Sequence, residues 1–372
     1  MKNISSRRIS NTPFKLFVEN AGVKNYTIYN RTYLATVFDT LESDYLHLNE
    51  YVQIWDVCCQ KQIEISGNNA LDFIQKFTPR DLSVLNLDKC LYIPIVNQFG
   101  KIMNDPVIYK IENNKYRLSM SDSDLYFFFQ GFSLGLDINL CIPEVYTIAI
   151  QGPKSELLIR KVFGKNISNI NNFQIKKTIF NDNEILISKT GFSSFGGYEI
   201  YIYNIETSKN LWEKFFLLGK EFNLRVGCPN LIDRIEGGLL SYGNDMDFND
   251  TVLESGLERF CDLNSDINCI GIESLRNELK GGIKKIIKYF LIEGGNLGIC
   301  DKPWDIMHDK KKIGYITSSA YSPSLKQNVS IGMINFEFSQ IKGKIEIVTP
   351  LGIYLSKIYS KPLKYLRNFR EA

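Results

Sequence analysis

The spacing of hydrophobic residues changes along the chain and predicts two kinds of region. Apolar residues three or four positions apart predict helices over residues 39–51, 67–77, 122–132, 208–221 and 229–240. Alternation of every second residue predicts strands over residues 61–66, 115–120, 174–180, 184–188 and 198–203. From residue 284 onward only short alternating runs remain, separated by Gly, Pro and Ser. The pattern therefore predicts an α+β region followed by an all-β domain.

A carboxylate interrupts an otherwise apolar stretch, LYIPIVNQFGKIMNDPVIY, at residues 91–109. The connection in this stretch ends at Gly100, which tolerates positive φ, so the sequence predicts a β-hairpin. In the second strand Asp105 shares a face with apolar residues, and Pro106 predicts a strand end close to an opening. A buried carboxylate without partners is strongly unfavourable. Asp105 is therefore a candidate functional residue, and a turn or strand-end carboxylate is the structural alternative.

A glycine-rich bend, TGFSSFGG at residues 190–197, leads into the strand predicted over residues 198–203. Alternation places Glu199, Tyr201 and Tyr203 on one face of that strand and core residues on the other. A carboxylate with a phenol two residues further, beside glycines that let a ligand approach the backbone, predicts a pocket wall. A solvated strand face is the alternative. The bend lacks the GxGxxG spacing and opens no helix, so a dinucleotide site is not indicated.

Composition and charge restrict the classes of partner. A chain of 372 residues is long enough for two or three domains. Its 44 basic and 41 acidic residues are too balanced for a nucleic-acid binder that relies on phosphate neutralisation. The eight cysteines form no CxxC pair and the chain has two histidines, so no metal site is predicted. No membrane span or signal peptide is predicted, and reduced thiols favour a cytoplasmic location.

The order of the motifs resembles that of the glycine-cleavage T-protein (aminomethyltransferase) superfamily along nearly the whole chain. The resemblance rests on GKIMNDPVIY, AIQGPKS, TGFSSFGGYEIY, RIEGGLLSYGNDMD, LESGL and GYITSSAYSPSLKQNVSIGM. Within that superfamily, the segments most similar to the dimethylsulfoniopropionate demethylase branch are TPFKLFVENAGVKNYTIYN, TPRDLS, NDPV and GCPNLIDRIEGGLLSYGNDM.

The resemblance implies an α+β, T-protein-like fold of three parts. Two α+β subdomains, interleaved within residues 1–283, form the folate-binding region, and a C-terminal β-barrel occupies residues 284–372. The three parts are expected to surround a central channel for tetrahydrofolate.

The resemblance also implies roles for four cofactor-binding residues. Asp105 matches the aspartate that faces the reactive folate nitrogen and is the expected catalytic residue. Glu199 matches the carboxylate that hydrogen-bonds the pterin edge, and Tyr365 a tyrosine that lines the channel. Asn230 stands where glycine-cleavage enzymes carry an arginine, as it does in the demethylase-like branch. The aminomethyl reaction on a lipoyl arm is therefore the less favoured chemistry.

The activity implied is methyl transfer from a small sulfonium zwitterion, dimethylsulfoniopropionate, to N5 of tetrahydrofolate. Phe192, Tyr201 and Trp55 are expected to hold the cation through their aromatic faces, and Arg31 to pair with the substrate carboxylate. The chain departs from the demethylase pattern at Phe192, Ser194 and Arg31, which replace tryptophan, lysine and histidine. The cofactor is therefore better supported than the methyl donor.

Two other functions stay open at this point. One is a folate-dependent demethylase or aminomethyltransferase that acts on an N-methylated glycine or betaine. The other is a folate-binding protein without transferase activity, since NCIGIE at residues 268–273 keeps a fragment of the KGCYxGQE signature of such relatives. The partner expected in the enzymatic cases is a small zwitterionic methyl donor, and a homodimer is compatible with the sequence.

Overall fold

The computed structural model describes residues 6–369, the last three by their backbone alone. The helices within this range are α1 (Lys15–Asn20), α2 (Leu41–Glu50), α3 (Ala70–Gln75), α4 (Leu125–Phe132), α5 (Ser155–Phe163), α6 (Lys165–Ser168), α7 (Ile205–Gly219), α8 (Leu231–Gly237) and α9 (Ile272–Gly281). Short 3-10 helical turns lie at Lys220–Phe222, Glu258–Phe260, Phe336–Phe338 and Leu363–Phe369. No described helix is both long enough and apolar enough to cross a membrane.

The strands fall into an early group and a late group. Those before residue 230 are β1 (Asn25–Tyr29), β2 (Thr32–Val37), β3 (Gln53–Asp56), β4 (Gln62–Ser66), β5 (Cys90–Tyr92), β6 (Ile95–Val96), β7 (Ile102–Asn104), β8 (Val107–Glu112), β9 (Lys115–Ser119), β10 (Asn139–Cys141), β11 (Tyr146–Gln151), β12 (Ile175–Phe180), β13 (Asn183–Ser188), β14 (Gly197–Ile202) and β15 (Arg225–Gly227). The later ones are β16 (Lys285–Ile292), β17 (Trp304–His308), β18 (Lys311–Ser322), β19 (Gln327–Asn335), β20 (Ile345–Thr349) and β21 (Gly352–Tyr359).

The chain divides into two compact units that alternate along the sequence. The first unit consists of the residues up to Phe73 together with Leu82–Tyr92 and Pro106–Asn230. The second consists of Ile74–Asp81, Ile93–Asp105 and the residues from Leu231 onward. The border predicted between residues 283 and 284 stays a prediction, and the first strand of the C-terminal barrel begins at Lys285.

The first unit is built on two large sheets. One has six strands in the order β12-β13-β14-β11-β3-β15, and the other has five in the order β10-β4-β9-β8-β5. A two-stranded hairpin, β1-β2, completes the unit. On one face of the six-stranded sheet, Ile148 and Ile200 belong to an apolar core that includes Leu158 of α5 and Trp212 of α7. This core accounts for the apolar alternation of the strands, because every second side chain points into it.

The second unit contains a closed barrel of strands in the order β16-β19-β18-β17-β20-β21. Pairing of β16 with β21 closes the barrel, and its interior is filled by apolar side chains such as Phe290, Ile316 and Ile347. A closed sheet of this kind leaves no unpaired edge strand. The α+β fold with a C-terminal barrel predicted from the sequence is confirmed.

The hairpin predicted over residues 91–109 is wrong in one respect, because the stretch forms two separate ladders. Strand β6 pairs with β7, and these belong to the second unit, whereas β5 pairs with β8 in the first. Asp105 and Pro106 lie between the end of β7 and the start of β8. Asp105 therefore does not share a strand with Tyr109. Pro106 explains the interruption, since it lacks the amide that a continuous ladder would need.

Candidate functional site

One face of the six-stranded sheet carries polar and aromatic side chains where the opposite face is apolar core. In the strand register Ser188 lies opposite Glu199, Glu199 opposite Ala149, and Ala149 opposite Trp55. Side chains that are directly opposite on neighbouring strands share a face. The predicted residues Glu199 and Trp55 thus lie in one row, and Tyr201 follows Glu199 on the same face.

The Glu199 carboxylate is held by side-chain hydroxyls although it is buried, with 5% of its surface exposed. Thr190 Oγ1 donates a short hydrogen bond to Glu199 Oε2, and the Tyr201 hydroxyl donates to the same oxygen at 3.2 Å. Within the described residues Oε1 accepts no hydrogen bond. Burial raises the pKa of the Glu199 carboxyl, and the hydrogen bonds from Thr190 and Tyr201 act in the opposite direction. The arrangement presents one carboxylate oxygen to a hydrogen-bond donor.

Tyr201 is fully buried and stacks on Tyr109 of the five-stranded sheet, with ring centroids 5.0 Å apart. The Tyr109 hydroxyl in turn donates to Gln62 Oε1 at 3.1 Å. One face of the Tyr201 ring is therefore covered by protein. Its hydroxyl donates a hydrogen bond to Glu199. The role predicted for Tyr201, an aromatic wall that holds a cation, does not include this contact.

The glycine-rich bend closes over the side chain of Gln151. Gln151 Nε2 donates to the carbonyl oxygens of Thr190 at 3.3 Å and Tyr198 at 3.4 Å. A Cβ atom on Gly191 would lie 2.1 Å from Gln151 Nε2, and one on Gly197 would lie 2.6 Å from Gln151 Cδ. Gly191 and Gly197 are thus explained by the approach of a protein side chain, whereas the sequence suggested the approach of a ligand.

The predicted aromatic residues differ in their accessibility. Trp55 is buried, with 1% of its surface exposed, and its Nε1 donates to Gln53 Oε1 at 2.9 Å. Phe195 packs against the cluster that contains Trp55. Phe192, within the glycine-rich bend, is partly exposed. Of the three predicted aromatic residues, Phe192 therefore has the side chain that solvent can reach.

Two further predicted residues of the first unit occupy positions with clear local roles. Asn230 is buried, and its Nδ2 donates to the carbonyl oxygen of Leu41 at the start of α2. Arg31 is exposed in the two-residue turn between β1 and β2, where both Asn30 and Arg31 have positive φ. Their predicted contacts with cofactor and substrate stay predictions.

In the second unit, Asp105 is buried, with 8% of its surface exposed. It lies near enough to Tyr242 to affect its ionisation. Burial raises the pKa of Tyr242 to about 12, and the charges of Asp247 and Asp105 add to this effect. Asp105 therefore belongs to a polar group that includes the SYGNDMD loop, residues 241–247.

That loop is fixed by a buried ion pair that the sequence did not predict. Arg234 Nη1 lies 2.7 Å from Asp245 Oδ2, and Arg234 Nη2 donates to Ser318 Oγ at 2.7 Å. Asp245 Oδ1 accepts hydrogen bonds from Ser318 Oγ at 2.6 Å and Thr317 Oγ1 at 2.8 Å. Thr317 is the residue at which the register of β18 shifts against β19. The bulge in the barrel strand thus turns a second hydroxyl toward the loop.

Tyr365 lies in the 3-10 turn near the C-terminal end and is 54% exposed. Its predicted place along a folate channel stays a prediction. Sequence reasoning missed Ser188 and Thr190. Their spacing of two residues on the approach to the bend was the available signal, because it places both hydroxyls on one side of an extended chain.

Comparison with known proteins confirms the resemblance seen in the motif order. The family model of the GCVT N-terminal domain matches residues 16–265, and that of the glycine cleavage T-protein C-terminal barrel domain matches residues 290–363. Dimethylsulfoniopropionate demethylase DmdA from Ruegeria pomeroyi is 40% identical over 350 residues, which cover 94% of this chain and 95% of that protein. An aminomethyltransferase from Caldanaerobacter subterraneus subsp. tengcongensis is 31% identical over 336 residues, 88% and 86% of the two chains.

Among solved structures, the chain is similar to the glycine cleavage system aminomethyltransferase T from Bartonella henselae. The TM-score is 0.85 with 17% identity, and the match covers 95% of this chain and 98% of that one. This similarity concerns the fold. The family models and the relatives above show that the chain belongs to the glycine-cleavage T-protein family.

Proposed function

We propose that this protein is a tetrahydrofolate-dependent methyltransferase that moves a methyl group from dimethylsulfoniopropionate to N5 of tetrahydrofolate. The observation that carries the proposal is the 40% identity to the Ruegeria pomeroyi demethylase over 94% of this chain and 95% of that protein. A match of this extent includes both the N-terminal region and the barrel. The methyl donor is therefore inferred from the whole chain and not from one motif.

The residues of the first unit suit a reduced pterin. The edge of a pterin presents N–H donors. Glu199 offers a buried carboxylate whose Oε2 accepts two hydrogen bonds, while Oε1 accepts none from the part of the chain that the structure describes. A charge-assisted hydrogen bond to such a carboxylate is stronger than one between neutral groups. Glu199 is accordingly the residue that would orient the pterin.

When bound, tetrahydrofolate supplies the secondary amine N5, which takes the methyl group of the sulfonium and loses one proton. A sulfonium already contains a neutral leaving group, so the protein mainly has to align the donor with the amine and exclude water. Asp105 would hold the N–H of the amine through its carboxylate and accept the released proton. Its burial supports this role, because a proton acceptor shielded from water interacts more strongly with a nearby N–H.

The contacts with the methyl donor belong to the same proposal. Phe192 would contact the sulfonium through its ring face, a contact worth about 0.5–2 kcal/mol. Its partial exposure supports the assignment. Trp55 and Tyr201 would form the inner part of the wall that contacts the methyl donor, since both are buried. Arg31 would pair with the substrate carboxylate, and Tyr365 would contact the folate.

A second candidate is methyl or aminomethyl transfer from an N-methylated glycine or betaine. It is favoured by the 31% identity to an aminomethyltransferase over 88% of this chain. Asn230 argues against the glycine-cleavage reaction itself, because a neutral amide that binds the Leu41 carbonyl replaces the arginine expected there.

The two candidates differ in the donor that reacts. Purified protein is incubated without oxygen with tetrahydrofolate and one of three donors: S-methyl-deuterated dimethylsulfoniopropionate, glycine betaine or dimethylglycine. The first candidate predicts deuterated 5-methyl-tetrahydrofolate and 3-(methylthio)propionate in equal amounts. Product from the nitrogen compounds alone would support the second candidate. Tight folate binding without any turnover would instead indicate a folate-binding protein.

We also propose a cytoplasmic location. All eight cysteines are free thiols, and five of them are buried. Free thiols persist in a reducing compartment.

A further inference from the structure

We infer that Thr190, Tyr201 and Ser188 are positioning residues. Their hydrogen bonds engage Oε2 of Glu199 and keep Oε1 directed at the pterin. This inference rests on the proposed function, since it assigns these hydroxyls a role in binding tetrahydrofolate. None of the three hydroxyl groups is assigned a contact with the reacting atoms. Their effect is exerted through the orientation of one carboxylate.

The four groups form a closed ring of hydrogen bonds. Thr190 Oγ1 and the Tyr201 hydroxyl both contact Glu199 Oε2. Ser188 Oγ completes the ring, at 2.5 Å from Thr190 Oγ1 and 3.4 Å from the Tyr201 hydroxyl. Each of the four residues is buried. Water therefore does not compete for these bonds as it would on a solvated strand face.

The count of protons fixes the direction of the bonds. An ionised carboxylate only accepts hydrogen bonds, so Thr190 and Tyr201 each use their single hydroxyl proton for a hydrogen bond to Oε2. Ser188 must then donate to one of these two hydroxyl oxygens. The hydroxyl protons of all three residues thus lie in hydrogen bonds that lead to Oε2. A ligand with further N–H donors therefore forms its hydrogen bond with the other oxygen, Oε1.

The backbone at Thr190 is fixed by a separate contact. Gln151 Nε2 holds the Thr190 carbonyl oxygen at 3.3 Å, and Gly191 leaves no room for a larger side chain beside that amide. Tyr201 is fixed independently by its stack on Tyr109. The two donors to Oε2 are therefore anchored to different elements, and the carboxylate cannot rotate without breaking both bonds.

The test uses variants that remove one hydroxyl and keep the shape of the side chain. Thr190→Val and Tyr201→Phe are each expected to raise the dissociation constant for tetrahydrofolate about tenfold, the effect of one hydrogen bond to a charged group. At saturating tetrahydrofolate and dimethylsulfoniopropionate, the kcat of Thr190→Val is expected to stay within about twofold of the original, because Thr190 is assigned no contact with a reacting atom. Binding is measured by calorimetry in anaerobic buffer, and thermal melting shows that each variant is folded.

Three controls separate positioning from packing. Thr190→Ser keeps the hydroxyl and is expected to restore tight binding. Tyr198→Phe removes a buried hydroxyl on the opposite face of β14, where it donates to the Ser168 carbonyl oxygen at 2.6 Å, and should leave folate binding unchanged. The double variant Thr190→Val with Glu199→Gln should bind no more weakly than Glu199→Gln alone, because both act through one carboxylate.

The outcomes distinguish this inference from the proposed function. If Glu199→Gln weakens folate binding but Thr190→Val and Tyr201→Phe do not, the positioning role is refuted and the methyltransferase stands. An equal loss in Thr190→Ser and Thr190→Val would also refute it, since the loss would then come from packing. If the unmodified protein neither binds tetrahydrofolate nor transfers a methyl group, the proposed function itself fails.

Discussion

Arg234 and Asp245 form a buried ion pair, with Nη1 of the arginine 2.7 Å from Oδ2 of the aspartate. The pair joins α8 to the SYGNDMD loop, and Ser318 connects both residues to strand β18 of the barrel. Asp245 Oδ2 also accepts a hydrogen bond from the Ser241 amide at 3.0 Å. Each of the two carboxylate oxygens of Asp245 therefore has two hydrogen-bond donors. The loop beside Asp105 is therefore held by charge as well as by packing.

Asp245→Asn should destabilise the protein markedly, because it leaves the Arg234 guanidinium buried without a counter-charge. Removal of one partner from a buried pair costs about 3–5 kcal/mol of unfolding free energy. Urea unfolding followed by circular dichroism measures the change. The matched control is Glu184→Gln in the exposed Lys177–Glu184 pair, which should change stability little. A loss for Asp245→Asn no larger than the control would contradict the structural role given to the pair.

Asp105→Asn should lower turnover while the fold stays intact. A positioned proton acceptor contributes about 10²–10⁴ in rate, and an amide cannot take up the proton released from N5. Formation of 5-methyl-tetrahydrofolate at saturating substrates measures the effect, and thermal melting checks the fold. Asp182→Asn, in an exposed turn with φ of +59°, makes the same chemical change away from the site. Unchanged turnover in Asp105→Asn would remove this residue from the reaction.

Glu199→Ala should weaken tetrahydrofolate binding by about 10- to 100-fold, the equivalent of one or two hydrogen bonds to a charged group. The exposed Glu213→Ala on α7 serves as the control. Calorimetric titration gives both dissociation constants. Equal affinities would show that Glu199 lies outside the folate site.

His47 should make stability depend on pH. Burial, followed by the charge of Arg225, lowers the pKa of His47 from 6.5 to about 4. The imidazole donates from Nε2 to the Asn223 carbonyl oxygen and accepts at Nδ1 from Gln53, so a proton added at Nδ1 would face the amide group that donates there. Between pH 6.5 and about 4 the unfolded state binds more protons than the folded state, so this group makes the free energy of unfolding fall as the pH is lowered through that range.

The measurement is the unfolding free energy of the original protein and of His47→Gln across this pH range. The variant should lose this part of the pH dependence, while the contribution of the carboxylates remains in both. Parallel curves for the two proteins would show that His47 does not titrate in this way.

Gly227→Ala should destabilise the protein by about 1–3 kcal/mol through overpacking. A Cβ atom at this position would lie 2.1 Å from Gln53 Oε1, the atom that accepts the hydrogen bond from Trp55 Nε1. The fluorescence of Trp55 should change with the loss of that bond. Gly131→Ala is the control, since a Cβ there meets open space on helix α4. Equal melting temperatures for Gly227→Ala and the original protein would contradict the predicted clash.

Local patterns predicted the elements better than their partners. The alternation over residues 198–203 correctly separated Glu199 and Tyr201 from the core residues Tyr198, Ile200 and Ile202. In contrast, the apolar spacing over residues 229–240 predicts a helix that buries one apolar stripe. In the structure every residue from Ile232 to Gly237 is buried, including Asp233, Arg234 and Glu236. The stripe was visible in the sequence, whereas the ion pair that permits burial of Arg234 was not.

By itself, the sequence determined the α+β class, the terminal barrel, the family and the candidates Asp105 and Glu199. Periodicity and motif order are properties of neighbouring residues, so they can be read along the chain. Only the tertiary structure decided that Asp105 lies between two strands that belong to different units. It also decided that Thr190 and Tyr201 meet on one oxygen of Glu199, and that Asp245 reaches Arg234 and Ser318. These contacts depend on strand register and on which residues burial brings together, and the free energy that selects them comes from the whole fold.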